Sequence, residues 1–315
     1  NRPADDQPFF AVFNYTGTHE GSVRKISRDR REGDAPDIEP PPYHPDTPMV
    51  RKTWAHYYDL LNNLDGWIQK RLDELEADGL ADNTIVFFWS DHGQGMPRCK
   101  RWPYDSGTHV PLIVHVPERW RGRVPIQPGT VEAGPVSSVD FAPTVLNVAG
   151  LDIPEFMQGR AFLGPAQPPA RKYAYAARDR MDERYDMIRK VRDERYDYIR
   201  NYKPFLPYDQ FMNTAEKSLV KQEFRRLEAK NALPEGAQWI LRAEKPVEEL
   251  YDTEQDPHEM NNLAGDPAMA ETLARLRKAH ETWREETRDL GLIPEPQLLV
   301  LAKRYGNRYH IYEGL

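Results

Sequence analysis

Apolar and polar positions follow two different patterns along this chain. In the first half, short apolar runs alternate with helical periodicity. Pro8-Phe9-Phe10-Ala11-Val12-Phe13-Asn14-Tyr15 is apolar, with β-branched and aromatic content, and is predicted to be a buried strand. Thr16-Gly17-Thr18-His19 would follow its carboxyl end, and the charged, proline-rich residues 20–48, with Pro40-Pro41-Pro42, read as a long surface loop. Thr47 then looks like an N-cap, with Pro48 at the first helical position. Val50, Trp54, Tyr57, Tyr58, Leu61, Leu64, Ile68, Leu72 and Leu75 recur at helical spacing up to Gly79, which predicts an amphipathic helix of about eight turns. Ile85-Val86-Phe87-Phe88-Trp89 is apolar on both faces and is predicted to be a central parallel strand. Val110 to Val116 predicts another strand, with Pro111 marking a break or an edge, and Asp140 to Gly150 predicts a short helix with a glycine stop. This order indicates an α/β layer architecture.

Beyond about residue 165 the pattern changes to antiparallel strands and helices. Lys172–Arg178, Asp186–Val191 and Asp197–Tyr202 predict strands, the last two forming a hairpin around Arg192-Asp193-Glu194-Arg195. Arg184-Tyr185-Asp186-Met187-Ile188-Arg189 echoes Arg195-Tyr196-Asp197-Tyr198-Ile199-Arg200; two copies make two similar strands, not a solenoid. Helices are expected at about 214–230 and 267–290, and a further strand at Glu249-Leu250-Tyr251-Asp252. The expected division is an α/β domain over 1–165 and a smaller α+β subdomain over 166–315.

Composition narrows the functional classes. The 315 residues are 30% charged and 39% hydrophobic, as in a globular protein with a wet surface. No apolar run approaches the ~20 residues of a membrane span. A net charge of −7 argues against a general nucleic-acid binder but leaves room for a local basic pocket. Cys99 is the single cysteine, so no internal disulfide is possible. The polar stretch Asn1-Arg2-Pro3-Ala4-Asp5-Asp6 does not read as a signal peptide and looks like a start in mid-protein.

Candidate chemistry clusters at the predicted strand ends, where open α/β sheets bind ligands. Ser90-Asp91-His92-Gly93 follows the strand at 85–89; Asp91 offers a hard carboxylate to a cation, and His92 taken alone favours zinc over calcium. The alternative is that Asp91 caps a helix and His92 is a packed loop residue. Arg98-Cys99-Lys100-Arg101 either forms a solvated charged face or, between two core strands, meets an anion such as sulfate or phosphate. His19 is either structural or a proton donor to a leaving group at the same sheet edge.

Together these stretches resemble the type I sulfatases of the alkaline-phosphatase superfamily. The resemblance runs through the apolar run ending in His19, the long helix feeding Asp91-His92-Gly93, and the spacing of Lys100, Tyr104, Gly107 and Pro111. It continues through Val139-Asp140-Phe141-Ala142-Pro143-Thr144-Val145-Leu146, Glu249-Leu250-Tyr251-Asp252 and Asp256-Pro257-His258-Glu259-Met260-Asn261-Asn262-Leu263. Pro40-Pro41-Pro42-Tyr43, Gly95-Met96-Pro97 and Arg178-Asp179-Arg180-Met181-Asp182 look most like the sulfamidase-like branch, which acts on sulfated sugars. The resemblance implies an alkaline-phosphatase-like sandwich, here incomplete, with a smaller α+β subdomain. It implies that Asp91 and His92 ligate one calcium ion, that Lys100 binds the sulfate, and that His19 contacts the sulfate or the leaving oxygen. Arg178 and Arg180 would face the sugar, and His109 stands where many relatives have arginine. A periplasmic or extracellular location is implied likewise.

The family's nucleophile is a formylglycine made within a Cys/Ser-x-Pro-x-Arg motif, which this sequence lacks; Cys99 is followed by Lys100-Arg101-Trp102. Asp5-Asp6 lies too close to His19 to be the family's early metal-binding pair. Asp91 and His92 supply two ligands where calcium takes about six to eight. An amino-terminal segment of the same protein is therefore expected as a partner, alongside an anionic sulfated substrate, and this chain alone is expected to be inactive. Two other readings stay open: a phosphonate or phosphate monoester hydrolase of the same superfamily, and a non-catalytic sulfated-sugar-binding derivative.

Overall fold

A computed structural model describes residues 7–26 and 38–314. Asp5-Asp6, and the part of the expected surface loop at 27–37, lie outside the described residues. The first elements are a short helix α1 (Glu20–Val23), the long helix α2 (Pro48–Ala77) and strand β1 (Val86–Trp89). They are followed by a helical turn α3 (Asp105–Thr108), strand β2 (Leu112–His115) and helix α4 (Phe141–Ala149). Strands β3 (Ala174–Met181), β4 (Arg184–Arg192) and β5 (Tyr196–Asn201), helix α5 (Leu219–Glu228) and strand β6 (Glu248–Asp252) come next. Helices α6 (Ala270–Glu286), α7 (Glu295–Tyr305) and α8 (Arg308–Gly314) close the chain. No described helix is long and apolar enough to cross a membrane.

The local signals for α2 and α4 act as their chemistry dictates. Thr47 Oγ1 accepts from the Val50 amide at 3.4 Å, Pro48 sits in the first turn, and the 30-residue helix stops before Gly79, whose φ of 66° only glycine adopts freely. Gly150, at φ 75°, ends α4 in the same way.

Two expectations are corrected. Residues 8–15 belong to no strand, and Phe10 and Phe13 are 73% and 61% exposed. A strand exists only with a hydrogen-bonded neighbour, and none of the described strands pairs with this run. The run at 85–89 does form β1, but it pairs antiparallel with β2, from Val86 opposite His115 to Trp89 opposite Leu112. A doubly apolar run reports that both faces can be covered and carries no information on the direction of its neighbour.

The second sheet is antiparallel in the order β3-β4-β5-β6. Its two-residue alternation separates two faces. Val191, Tyr198 and Leu250 pack on Leu273, Leu276 and Ala279 of α6. Ile188, Ile199 and Tyr251 pack on Trp102, Tyr104 and Tyr208. A third cluster joins Val50 and Trp54 of α2, Met96 and Cys99 to Val220, Phe224 and Leu227 of α5. Two of these cores thus combine residues from both sides of position 165. The sequence pattern anticipated β5, β6, α5 and α6 within a few residues; α7 and α8 were not anticipated.

His44 ties these parts together. Its Nδ1 accepts from Trp54 Nε1 at 3.2 Å, so its Nε2 carries the proton and donates to the Pro97 carbonyl at 2.8 Å. Burial depresses its pKa from 6.5 to about 4. The unfolded chain therefore binds a proton that the folded site refuses, and stability falls as the pH drops from 6.5 to about 4. The expected loss is about 3 kcal/mol over that window. Urea midpoints measured across it will show a steeper pH slope than in His44→Gln, which lacks the titrating group.

Candidate functional site

The carboxyl end of β1 opens into a loop that returns to β2 through α3, and this loop carries most of the expected site residues. Two glycines let it fold tightly. A Cβ on Gly107 would lie 2.2 Å from the Trp102 carbonyl oxygen, and one on Gly95 would lie 2.2 Å from Glu20 Cβ. The second approach brings α1, and with it His19, against the loop. Arg98 and Arg101 occupy left-handed backbone conformations at φ 69° and 80°, which side-chain-bearing residues rarely adopt. Their side chains are firmly anchored. Arg98 donates to the carbonyls of His258 and Glu259 at 2.5 Å each and lies 3.9 Å above the Tyr104 ring. Arg101 donates to both carboxylate oxygens of Glu20 at 3.0 Å and to Asp182 Oδ2 at 2.6 Å. The cation run 98–101 is therefore an internal framework, not a solvated face. Burial pushes the Cys99 thiol up to about 12, which keeps it protonated and unsuited to act as a nucleophile.

His19 and Lys100 meet: Nε2 and Nζ are 3.3 Å apart across 81 positions of sequence. The proton positions follow from the partners. The Gly21 amide donates to His19 Nδ1 at 3.2 Å, so Nδ1 bears the lone pair and Nε2 bears the hydrogen. An ammonium has no lone pair. Two donors thus face each other, an arrangement that is favourable when both point at one shared anionic oxygen.

Asp91 and His92 form a second pair with the opposite polarity. His92 Nδ1 lies 2.8 Å from the Gly93 carbonyl oxygen, which can only accept, so Nδ1 carries the hydrogen. His92 Nε2 then presents its lone pair 3.4 Å from Asp91 Oδ2. Two electron-rich atoms at that spacing suit a cation between them. The Asp91 side chain is 83% exposed and open to further ligands. Among the described residues, no hydrogen bond or ion pair links Asp91 or His92 directly to His19 or Lys100. Gln94 connects the two pairs along the loop: it follows Gly93, and its carbonyl accepts from the Lys100 amide at 3.0 Å.

The other expected residues are dispersed. His109 is 73% exposed. It borders a cleft of about 750 Å3 also lined by Pro40, Tyr58, Gln94, Arg192 and His258. Arg178 is buried, with its guanidinium 4.0 Å above the Trp102 ring, and burial lowers its pKa. Arg180 turns towards α7, donating to the Ile293 carbonyl at 2.9 Å and pairing with Glu295.

A group that pattern reading passed over lies beneath α3. Asp105, Asp197 and Glu259 place their ligand atoms within 4.8 Å of one another, a spacing that could hold a metal ion. Lys190 already supplies the cation, with Nζ 2.9 Å from Asp105 Oδ1 and 2.6 Å from Asp197 Oδ2. Arg192 adds a contact of 2.7 Å to Asp105. Burial would raise Asp105, but Lys190, His109, Asp197 and Arg192 together hold it far below the carboxylate range. For Asp197 burial outweighs the attraction of Lys190 and holds it well above that range. The clue in the sequence was slight: Val191 separates Lys190 from Arg192, and Asp197 stands between Tyr196 and Tyr198, a pattern that by itself reads equally well as a solvated face.

Two family models match this chain: one described as sulfatase over residues 1–151, and one described as N-sulphoglucosamine sulphohydrolase, C-terminal, over residues 97–212. An ulvan-active sulfatase from Formosa agariphila is 37% identical over 330 aligned residues, spanning 94% of this chain and 54% of the relative. The human N-sulphoglucosamine sulphohydrolase is 28% identical over 274, spanning 80% and 52%. The chain thus spans about half the length of these relatives. In three dimensions it is similar to a protein solved with its substrate D-glucosamine-2-N,6-O-disulfate, with a TM-score of 0.54, 21% identity and coverage of 78% of this chain and 43% of the other.

Proposed function

The chain belongs to the sulfatase family, and from that premise we propose that it forms part of an enzyme hydrolysing sulfate esters or N-sulfamates of sulfated carbohydrates. The observation that carries this reading is the His19–Lys100 pair, two donors 3.3 Å apart, with Lys100 on the same loop as the lone-pair-bearing Asp91–His92 pair. In it, Lys100 binds a sulfate oxygen and stabilises charge that grows as the bond to sulfur breaks. His19 points its Nε2–H at the departing oxygen or nitrogen and stabilises the charge that collects there by a hydrogen bond, the leaving group taking its proton from water. The cleft bordered by Tyr58, His109, Arg192 and His258 offers an aromatic face and cationic edges to an anionic sugar.

Asp91 and His92 fit two positions of a divalent-cation shell and would hold calcium there, with the remaining ligands coming from elsewhere. That ion would supply Lewis-acid polarisation of the sulfate when bound. The 315 residues contain no Cys/Ser-x-Pro-x-Arg motif, and we place the formylglycine nucleophile in a further segment of the relatives' length. Residues 1–165 would then belong to the catalytic domain and 166–315 to a subdomain whose sheet backs the loop at 98–108.

The test is sulfate release by the chain joined to that segment. N-sulfoglucosamine and an O-sulfated oligosaccharide are expected to turn over with calcium and to stop after chelation. Turnover of an aryl phosphonate in preference to an aryl sulfate would replace this reading with the phosphonate hydrolase one. Sugar binding without any product would replace it with the non-catalytic one.

A further inference from the structure

Glu20 is out of place beside a pocket for an anion. It is 6% exposed, follows His19 directly, and carries a charge that repels sulfate. Its contacts explain its presence. Arg101 holds both carboxylate oxygens at 3.0 Å; Arg24 Nη2 lies 2.9 Å from Oε2, and Lys100 Nζ lies 3.5 Å from Oε1. Burial would raise this carboxyl, but Arg101, Lys100 and Arg24 hold it at about 2, so it is ionised at any working pH. One carboxylate thus neutralises the mutual repulsion of three cations that would otherwise spread apart. The chain makes room for it, since Gly95 is the residue whose missing side chain Glu20 overlies. Arg101 also reaches outward to Asp182, on the turn between β3 and β4, 81 positions away. Thr214 Oγ1 lies 3.4 Å from both Arg101 Nη2 and Asp182 Oδ2 and closes the link.

We propose that Glu20 is a positioning residue: with Arg101 as its clamp it holds Lys100 against His19, and Asp182 fastens that clamp to the four-stranded sheet. This rests on His19 and Lys100 being the substrate pair. A lysine side chain is a flexible stem with a point charge, and nothing in its own geometry fixes where the ammonium sits. Here the ammonium lies between a carboxylate that draws it and a histidine N–H that it must share an anion with. The groups facing Lys100 are His19 from the start of α1, Glu20 from α1 and, through Glu20, Arg24 and Arg101. Removing the carboxylate charge leaves Lys100 among like charges, so its ammonium no longer settles beside His19.

The experiment compares Glu20→Gln, Asp182→Asn and Lys100→Ala in the protein that includes the nucleophile segment, with kcat and KM of each. Glu20→Gln is expected to lower kcat about 10- to 100-fold, with a change in KM of less than about threefold. Asp182→Asn keeps the fold, because asparagine accepts the φ of 52° at this position, and is expected to lower kcat in the same way by less. If Glu20→Gln does not fold, Asp182→Asn decides. Folded Glu20→Gln or Asp182→Asn with the original kcat, alongside an inactive Lys100→Ala, overturns this inference alone. Full activity in Lys100→Ala overturns the substrate-pair reading and this inference with it.

Discussion

Lys100→Ala is expected to lower kcat/KM for sulfate release by about 100- to 1,000-fold, the usual cost of deleting one donor aimed at developing charge. The size follows from the place of Lys100. Its side chain is 16% exposed, so its charge acts in a poorly screened setting. It stands 3.3 Å from the N–H of His19, which cannot accept from it, and 3.5 Å from a Glu20 carboxylate already held by Arg101, so its interaction becomes strongest when an anionic oxygen arrives. Alanine also leaves Glu20 with one cation fewer, which adds repulsion towards the substrate. Lys100→Arg will recover only part of the activity, because a planar fork cannot occupy the position of a point charge beside an imidazole. Steady-state kinetics on a sulfated monosaccharide checks this; a loss smaller than tenfold for Lys100→Ala would remove Lys100 from the pocket.

The second large effect concerns stability. Lys190→Met is expected to cost about 3–5 kcal/mol, because it breaks a buried ion pair and leaves a carboxylate uncompensated. Lys190 is 2% exposed and sits among Asp105, Asp197 and Glu259. Asp105, held far below the carboxylate range, loses its 2.9 Å partner and retains Arg192 at 2.7 Å and the exposed His109 at 3.5 Å. Adding Asp105→Asn to Lys190→Met removes the orphaned charge and is expected to restore more than half of the loss. Urea unfolding of the single and double variants measures both numbers. Additive losses in the double variant would show that Lys190 and Asp105 do not act as a pair. The Glu259 carboxylate also receives the Asp105 amide at 2.8 Å, so loosening this network should propagate into the turn that precedes β2.

Much of the architecture was legible because it depends on neighbours in sequence. Thr47, Pro48 and Gly79 bound α2 through capping and backbone preference, which are properties of a few consecutive residues. The alternation in 184–200 announced paired strands in the same local way. The family resemblance drew on the spacing of Lys100, Tyr104, Gly107 and Pro111, and the first three of these build the tight loop seen here. Residues 8–15 carried an equally clear strand pattern and form none, because pairing is a relation to another segment. The antiparallel course of β1 and β2 escaped the pattern for the same reason.

Charged residues mark the boundary most sharply. From the order of residues alone, Arg98, Arg101, Lys190 and Asp197 could face water or the interior, since alternation distinguishes two faces of a strand without saying which is covered. Folding laid the loop at 98–108 over one face of the four-stranded sheet and so enclosed them. The meeting of His19 with Lys100, the hydrogen on one imidazole nitrogen and not the other, and the clamp formed by Glu20 and Arg101 arise from contacts across 81 positions, which only the assembled chain can make. Short-range preferences are encoded in adjacent side chains; electrostatic partnerships are set by whatever the fold brings within a few ångströms.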